Sequence, residues 1–549
     1  MRPRHAVFCS FENRFAKSGG LAAVAVNTLP FLKEMSRLET VSLITPFYPF
    51  LMDEGRLEHS DIRFRVSFGG GFVNAELLRN TCSYTAPRAG SLPEYYLKAE
   101  GYFAATNRLR DPYLYVEEDS TENEKRLRQN ALFFCAAVPY ALSALGLTDD
   151  VILHLQEWQT ALVSFTVKAA MISGVLGSCA TVQTMHNPYD CYMPTHDLQQ
   201  IADSTFMRDR MPAVIGNGMT AYQVGLGLVD APVATVSRTF ARELTSDIMQ
   251  TEHFAPHLQP LFHRGVTGIN NGPFVSFSDR FPKRAAHSIQ EISDIKSDAR
   301  SALLKILAED LPPQCFGSLT YKRKRITDLA GNVPIVVMSG RLDPGQKGYD
   351  ILLQALQRFA PDEIKVVLTP LATRESDLDY FRETAKVCEG NLIVIPVRMA
   401  KGYVELQTGS TFGIMPSIYE PFGAAIEYMA NGTVNIARRT GGLVDQIVDG
   451  KTGFLFREAD DNYTLENIKN FAENSRNVQL RKSNKWAADM AASLEATLKM
   501  ATKIFSHNPD NYYQMILKGF EKAAEFKWEK NAAEYWRLYQ NAAGTDPVI

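Results

Sequence analysis

Cysteine is sparse in this chain and poorly placed for chemistry. The seven present (Cys9, Cys82, Cys135, Cys179, Cys191, Cys315, Cys388) are odd in number, and no two stand at CxxC spacing. That excludes a disulfide framework and a cysteine-based zinc site, and points to a reducing, cytoplasmic setting. An excess of one charge is also missing. The 58 Lys and Arg against 61 Asp and Glu leave a net charge of −3, too weak a field to collect nucleic acid or an anionic membrane. Long apolar runs are absent too. The stretch "MRPRHAVFCSFENRF" holds an apolar run of four, short of a signal-peptide core, and "ALVSFTVKAAMISGVLG" (161–177) is broken by Lys168. No solenoid repeat or low-complexity tract is present. A neutral substrate, or one whose charge is met locally, fits this balance.

What is there is alternation. At 549 residues the chain exceeds one core, and about 100–200 residues per domain gives two to four. Short β-branched runs recur, each followed by a turn and a helix-period segment. "VSLITP" (41–46), "VILHL" (151–155), "CATVQTMH" (179–186) and "APVATVS" (231–237) form one series. "VPIVVMSG" (333–340), "IKVVLTP" (364–370), "NLIVIPV" (391–397), "TFGIMPS" (411–417) and "TVNIARR" (433–439) form another. Strands alternating with helices build parallel sheets, so the expected fold class is α/β with two doubly wound, Rossmann-like domains. A polar separator runs from about 276 to 332, and its "YKRKR" (321–325) reads as a solvated loop. The tail is helical: in "FKWEKNAAEYWRLYQ", Phe526, Trp528, Ala532, Tyr535 and Tyr539 recur at helical spacing, as in a helix packed on a domain.

Four stretches carry candidate chemistry. In "FAKSGGLAAVAVNTLPFL" (15–32), Gly19 and Gly20 allow close approach to a ligand, Lys17 adds charge, and a helix points its amides at the turn. In "VMSGRLDPGQKGYDILLQAL" (337–356), Arg341 and Lys347 flank a loop after a strand, an arrangement suited to a diphosphate. In "RRTGGLVDQIVDGKTGFLF" (438–456), Gly441 and Gly442 open a helix whose amides suit a phosphate. Each alone also fits a plain strand-to-helix connection or a solvated loop; together they point to a sugar nucleotide in a cleft. In "PSIYEPFGAAIEYMANGT" (416–433), Glu420 and Glu427 lie seven residues apart. On one helix that is about 10 Å along the axis, too far to share a proton; if the helix begins after Glu420, that residue sits in the preceding loop with Pro421 at the turn. They read as two contacts on one elongated ligand.

With these residues in hand, the chain resembles the glycogen and starch synthases, retaining glucosyltransferases of the two-Rossmann GT-B fold. Lys17-Ser18-Gly19-Gly20-Leu21 is similar to the family's KxGGL loop, "HLQEWQTAL" (154–162) to HxHDWH, and "TMHN" (184–187) to TIHN. "VATVSRTFARE" (233–243) is similar to TVSxxYAxE and "GINNGPF" (268–274) to GIxNGID; "GRLDPGQKG", "PSIYEPFG" and "TGGLVDQI" follow in order. "FKWEKNAAEYWRLY" resembles the closing helix that returns to the first domain. The resemblance implies residues 1–268 as an acceptor-side domain, 269–510 as the donor domain, and 511–549 as the returning helix. It implies that Arg341 and Lys347 bind the donor diphosphate beside Gly441, Gly442 and Leu443. Glu420 would take the glucose hydroxyls, Glu427 or its neighbour the ribose, and His186 would sit over the glucose. Lys17, Gly19 and Gly20 would close on the phosphates.

The implied reaction moves glucose from ADP- or UDP-glucose to the 4-hydroxyl of an α-glucan primer, with retention and by front-face attack. It needs no metal or cofactor, since cations and amides meet the charge. Departures from the family pattern are Ala23 in place of an acid, Glu157 for the aspartate of HDWH, Gln159 for its second histidine, and the seven-residue spacing to Glu427. The six-residue step from Arg341 to Lys347, with "YEPFG", leans toward the archaeal-type branch. These departures keep two alternatives open: a small sugar or sugar-phosphate acceptor, and a weakly active glucan-binding homologue. The choice of nucleotide and the oligomeric state are not legible.

Overall fold

The structure is a computed structural model. It describes residues 1–17, 19–54, 57–83, 91–103, 120–202, 218–274, 281, 288–308, 315–316, 319–320, 333–360, 362–371, 388, 391–395, 399, 402–474 and 477–544. Ser18 and "YKRKR" (321–325) lie outside these residues. By its internal contacts the chain divides into two units, Met1–Gly272 with Lys527–Ile549, and Pro273–Phe526. The expected boundaries differ from this: the first crossing falls at 272/273 rather than 268/269, and the return begins at 527 rather than 511. The helix Pro509–Ala523 accounts for the second difference, because it packs inside the second unit. Its Tyr512 hydroxyl donates to Thr411 O at 2.8 Å, and Gly519 lies against Met429.

In the first unit the strands are β1 (His5–Cys9), β2 (Thr40–Pro46), β3 (Glu58–Phe68), β4 (Gly71–Ser83), β5 (Ser91–Ala99), β6 (Val151–Gln156) and β7 (Cys179–Met185). A short pair follows, β8 (Tyr192–Met193) and β9 (Met219–Thr220), and then β10 (Val233–Thr235) and β11 (Val266–Gly268). The main sheet runs β11-β10-β7-β6-β1-β2-β5-β4-β3. It is parallel from β11 to β5, with β4 and β3 antiparallel at the far edge. Every residue of β6 and β7 is buried, as expected where helices cover both faces of a parallel sheet. On one face the helix Leu21–Met35 packs against the helix Trp528–Ala542. Ala25, Leu29 and Leu32 meet Ala532, Tyr535, Leu538 and Tyr539 in one buried cluster. The apolar face read from the tail is this one. Buried polar contacts fix its register: Thr28 Oγ1 donates to Asn531 Oδ1 at 2.8 Å, and Asn531 Nδ2 donates to Asn270 O at 3.1 Å.

The second unit opens with a helix, Ile289–Ala308, inside the stretch expected to be a polar separator. Its Lys296 is buried, pushed down to about 7 by that burial, and donates to Thr408 O and Ser410 O at 2.6 and 2.7 Å. A small hairpin of β12 (Cys315–Phe316) and β13 (Leu319–Thr320) precedes the main strands. These are β14 (Ile335–Arg341), β15 (Lys365–Leu371), β16 (Leu392–Val394), β17 (Phe412–Met415), β18 (Val434–Arg438) and β19 (Gly453–Phe456). The sheet is wholly parallel, in the order β16-β15-β14-β17-β18-β19. Its winding reverses between β14 and β17, and in such sheets the crevice beyond the carboxyl ends at that reversal receives the ligand. Among the described residues no helix is long and apolar enough to cross a membrane.

Candidate functional site

The loops after β14 and β17 meet at the reversal point of the second unit. Arg341 ends β14, and a turn through Asp343 follows, where Asp343 O accepts from Lys347 N at 2.9 Å. Gly348, at φ +66°, starts the next helix against the end of β17, where an added Cβ would stand 2.0 Å from Pro416 O. This turn sets Lys347 beside the second loop. Its Nζ donates to Glu420 Oε2 at 2.6 Å, and Ser417 Oγ donates to the same oxygen at 3.0 Å. Arg341 joins through Gln346: Nη2 donates to Gln346 Oε1 at 3.0 Å, and Gln346 O accepts from Ile418 N at 2.7 Å.

The loop after β18 closes the same cluster. Gly442 N donates to Glu420 O at 2.9 Å, and a Cβ on Gly442 would lie 2.3 Å from Phe422 O. Leu443 packs against Gly423, which holds φ +87°. Gly442 was expected to offer its amide to a phosphate; here that amide is committed to the Glu420 backbone, and the glycine is needed for close packing. Below the loop, Arg438 is bonded to Glu458 through both Nε (2.9 Å) and Nη2, and donates from Nη1 to Ile418 O at 2.5 Å. Burial alone would raise Glu458; the facing guanidinium outweighs it and holds the carboxyl down at about 2.

Glu427 stands apart from this cluster. It lies in the helix Ala425–Ala430, 2% exposed, and its Oε1 accepts from Phe274 N at 2.7 Å. Burial pushes its carboxyl up to about 7. The two glutamates read as a pair from their spacing therefore have different surroundings, because Glu420 lies in the loop before the helix rather than on it.

In the first unit the winding reverses between β1 and β6, and the sequence-derived residues gather beyond these strands. Glu157 follows β6 with φ 63° and ψ 173°, a conformation costly for a side chain bearing a Cβ. Its carboxylate holds the neighbourhood together. Oε1 accepts from His186 N at 3.0 Å, and Oε2 accepts from Tyr222 OH at 3.1 Å. Burial pushes Glu157 up to about 8, against these bonds. His186 Nε2 lies 2.7 Å from Gln156 Oε1, and burial pushes the ring down to about 3, so it is neutral near pH 7. His154, from the same motif, is fully buried between Tyr539 OH and Thr184 Oγ1, a core role.

The glycine turn differs from expectation. Glu12, 3% exposed, places Oε2 on the amides of Gly19 (3.1 Å) and Ala22 (3.2 Å), so the chain's own carboxylate meets the helix start assigned to a phosphate. Lys17 is exposed beside it, and Gly20 caps the helix Leu21–Met35 without a side-chain partner. Glu12, Gln156, Tyr222, Gln346 and Ser417 were not singled out from the sequence. Only Glu12 carried a local signal, an acid just after a strand and before a glycine turn. Among the described residues no group of three or more His, Cys, Asp or Glu is placed to hold a metal ion.

Two family descriptions match in series: a starch synthase catalytic domain over residues 5–259 and a glycosyl transferases group 1 domain over residues 322–488. The glycogen synthase of Lactococcus lactis is 25% identical over 545 residues, covering 96% of this chain and 97% of that protein. Glycogen synthase 2 of Geobacter sulfurreducens is 28% identical over 466 residues, covering 81% of this chain and 86% of that protein. The catalytic domain of starch synthase IV from Arabidopsis thaliana, solved with ADP and acarbose bound, shares the fold. Its TM-score is 0.73 at 19% identity, over 99% of this chain and 100% of that one. With two Rossmann-like sheets, both domains matched in order and full-length likeness to glycogen synthases, the chain is a glycogen/starch synthase-like glycosyltransferase of the GT-B fold.

Proposed function

We propose that this glucosyltransferase moves glucose from ADP- or UDP-glucose onto the non-reducing 4-hydroxyl of an α-1,4-glucan, with retention. The observation that carries the reading is the Lys347–Glu420 pair at the reversal point of a wholly parallel sheet. A cation and a carboxylate within 2.6 Å are ready to part onto different portions of one ligand. In this reading Lys347 and Arg341 turn to the donor diphosphate, and Glu420 is released to the glucose hydroxyls. The leaving diphosphate accepts the acceptor's proton from the front face. His186, neutral and fixed by Gln156 and Glu157, serves as a hydrogen-bonding neighbour of the glucose rather than as an acid. Lys17 is an exposed cation on the first unit, and Gly441 and Leu443 line the loop beside Glu420. No cofactor enters the scheme; the nucleoside diphosphate glucose is a substrate. The ADP in the starch synthase IV structure supports ADP-glucose as the first donor to try, and its acarbose supports a glucan acceptor. UDP-glucose is tested beside ADP-glucose.

A second reading, with a small sugar or sugar phosphate as acceptor, is favoured by Ala23, Glu157 and Gln159, the family departures in the first unit. The deciding experiment measures nucleoside diphosphate release from each donor, with glycogen, with small sugars and with neither. Release that depends on glycogen and disappears in Lys347→Ala supports the synthase; release that rises only with a small sugar supports the second reading.

A further inference from the structure

We propose that Glu427 is a positioning residue, tying the donor loop to the two points at which the chain enters and leaves the second unit. The proposal rests on the synthase reading of that loop, and it replaces the ribose contact that spacing and resemblance assigned to Glu427.

Three contacts carry it. Phe274, which gives its amide to Glu427 Oε1 at 2.7 Å, is two residues beyond Gly272, where the first unit ends. The Phe274 ring stands edge-on to Phe422, centroids 5.4 Å apart, and Phe422 stands edge-on to Phe526 at 6.1 Å. Phe526 is the last residue of the second unit before the chain returns. One ring, Phe422, therefore meets a residue at the entry and the residue at the exit of the second unit. It is also two residues from Glu420, the partner of Lys347.

Gln446 completes the circuit. Its Nε2 donates to Phe422 O at 2.6 Å, while its Oε1 accepts from Ile426 N at 3.2 Å, one residue before Glu427. A side chain on Gly442 would strike Phe422 O, so the glycine loop packs directly on the backbone that carries this ring. Glu427 itself is 2% exposed, and its Oε2 has no hydrogen-bond partner among the described residues. For packing alone an apolar side chain would fill this space without leaving a buried oxygen unpaired. The acid has a use here in the Phe274 amide, which needs an acceptor at this position.

The test combines amide hydrogen exchange with kinetics on the full chain, for wild type, Glu427→Gln, Glu427→Leu and Phe422→Leu. Exchange is read at Phe274 with and without ADP; rates are read with ADP-glucose and with its 2′-deoxyribose analogue. Glutamine keeps an acceptor oxygen, so Glu427→Gln retains protection of the Phe274 amide, while Glu427→Leu raises its exchange about tenfold or more, the loss of one buried hydrogen bond. In Glu427→Leu kcat falls about tenfold with donor KM little changed, and Gln recovers most of that loss. Phe422→Leu, which leaves the carboxylate in place, lowers ADP-dependent protection at Phe274. The preference for the ribose over the deoxyribose donor survives in all three.

A Phe274 amide equally protected in Glu427→Leu would overturn the proposal. So would loss of the ribose preference in Glu427→Leu, which would return the residue to the donor. If wild type releases no nucleoside diphosphate with any acceptor, the synthase reading fails separately, and the exchange comparison still decides the role of Glu427.

Discussion

Lys347 and Glu420 hold each other at 2.6 Å with Ser417 on the same carboxylate oxygen, so neither can be removed alone without cost. Lys347→Ala leaves Glu420 without its cation and, in the proposed reading, takes a contact from the donor diphosphate. Steady-state rates at saturating acceptor should fall about 10²–10³-fold in kcat/KM for the donor. Glu458 offers a second expectation, in stability. Its folded-state pKa of about 2 lies below the ordinary 4.5, so the stabilisation is complete above pH 4.5 and is lost as pH falls toward 2. Glu458→Gln should therefore lower the unfolding free energy at pH 7 by on the order of 3 kcal/mol, with the gap from wild type closing below pH 4.5. Glu157 has the opposite sign. Raised to about 8 by burial, it costs stability as pH climbs from 4.5 through 8. Urea titrations of Glu157→Gln should show a shallower decline than wild type across that window. At this scale the sequence showed Lys347, Glu420 and His186 but not Gln346, Ser417, Tyr222 or Glu12. Those residues act through neighbours that the topology supplies, and no local pattern marks such a partner.

At the scale of elements, the turn after β14 carries the site because Gly348 lets the helix start abut Pro416. Gly450 provides a matched control: it holds φ +69° with nothing within 4 Å of an added Cβ, whereas Gly348 holds φ +66° against backbone. Both alanine variants incur the backbone strain, and only Gly348→Ala adds the collision. Thermal unfolding should show a loss about 2–3 kcal/mol greater for Gly348→Ala, together with weaker donor binding. The parallel strands were legible because burial on both faces writes continuous apolar runs, as in "VILHL" and "IKVVLTP". The antiparallel β3 and β4 were not, since residues such as Arg63, Arg65, Glu76 and Arg79 break any apolar run there. The helix Ile289–Ala308 reads as a separator in the sequence because its buried face includes a lysine, Lys296, whose partners are the distant Thr408 and Ser410 carbonyls and the Thr433 hydroxyl.

At the scale of the whole molecule, the first unit is assembled from two stretches of chain, and Trp528 marks the second junction. Its ring lies over Gly272, where a Cβ would come within 2.7 Å of it. Trp528→Ala opens a cavity in the first unit and should cost about 3–5 kcal/mol. Calorimetry should show this as a shift of the transition belonging to that unit, with the transition of Pro273–Phe526 moved less. The interruption also orders events on the ribosome. Synthesis runs through the whole of the second unit before Ala532, Tyr535 and Tyr539 exist to cover Ala25, Leu29 and Leu32. At about 5–20 residues per second, that face waits tens of seconds in its nascent state. The portion made first is thus the last to be completed, and its apolar helix is a natural client for chaperones until the final helix emerges.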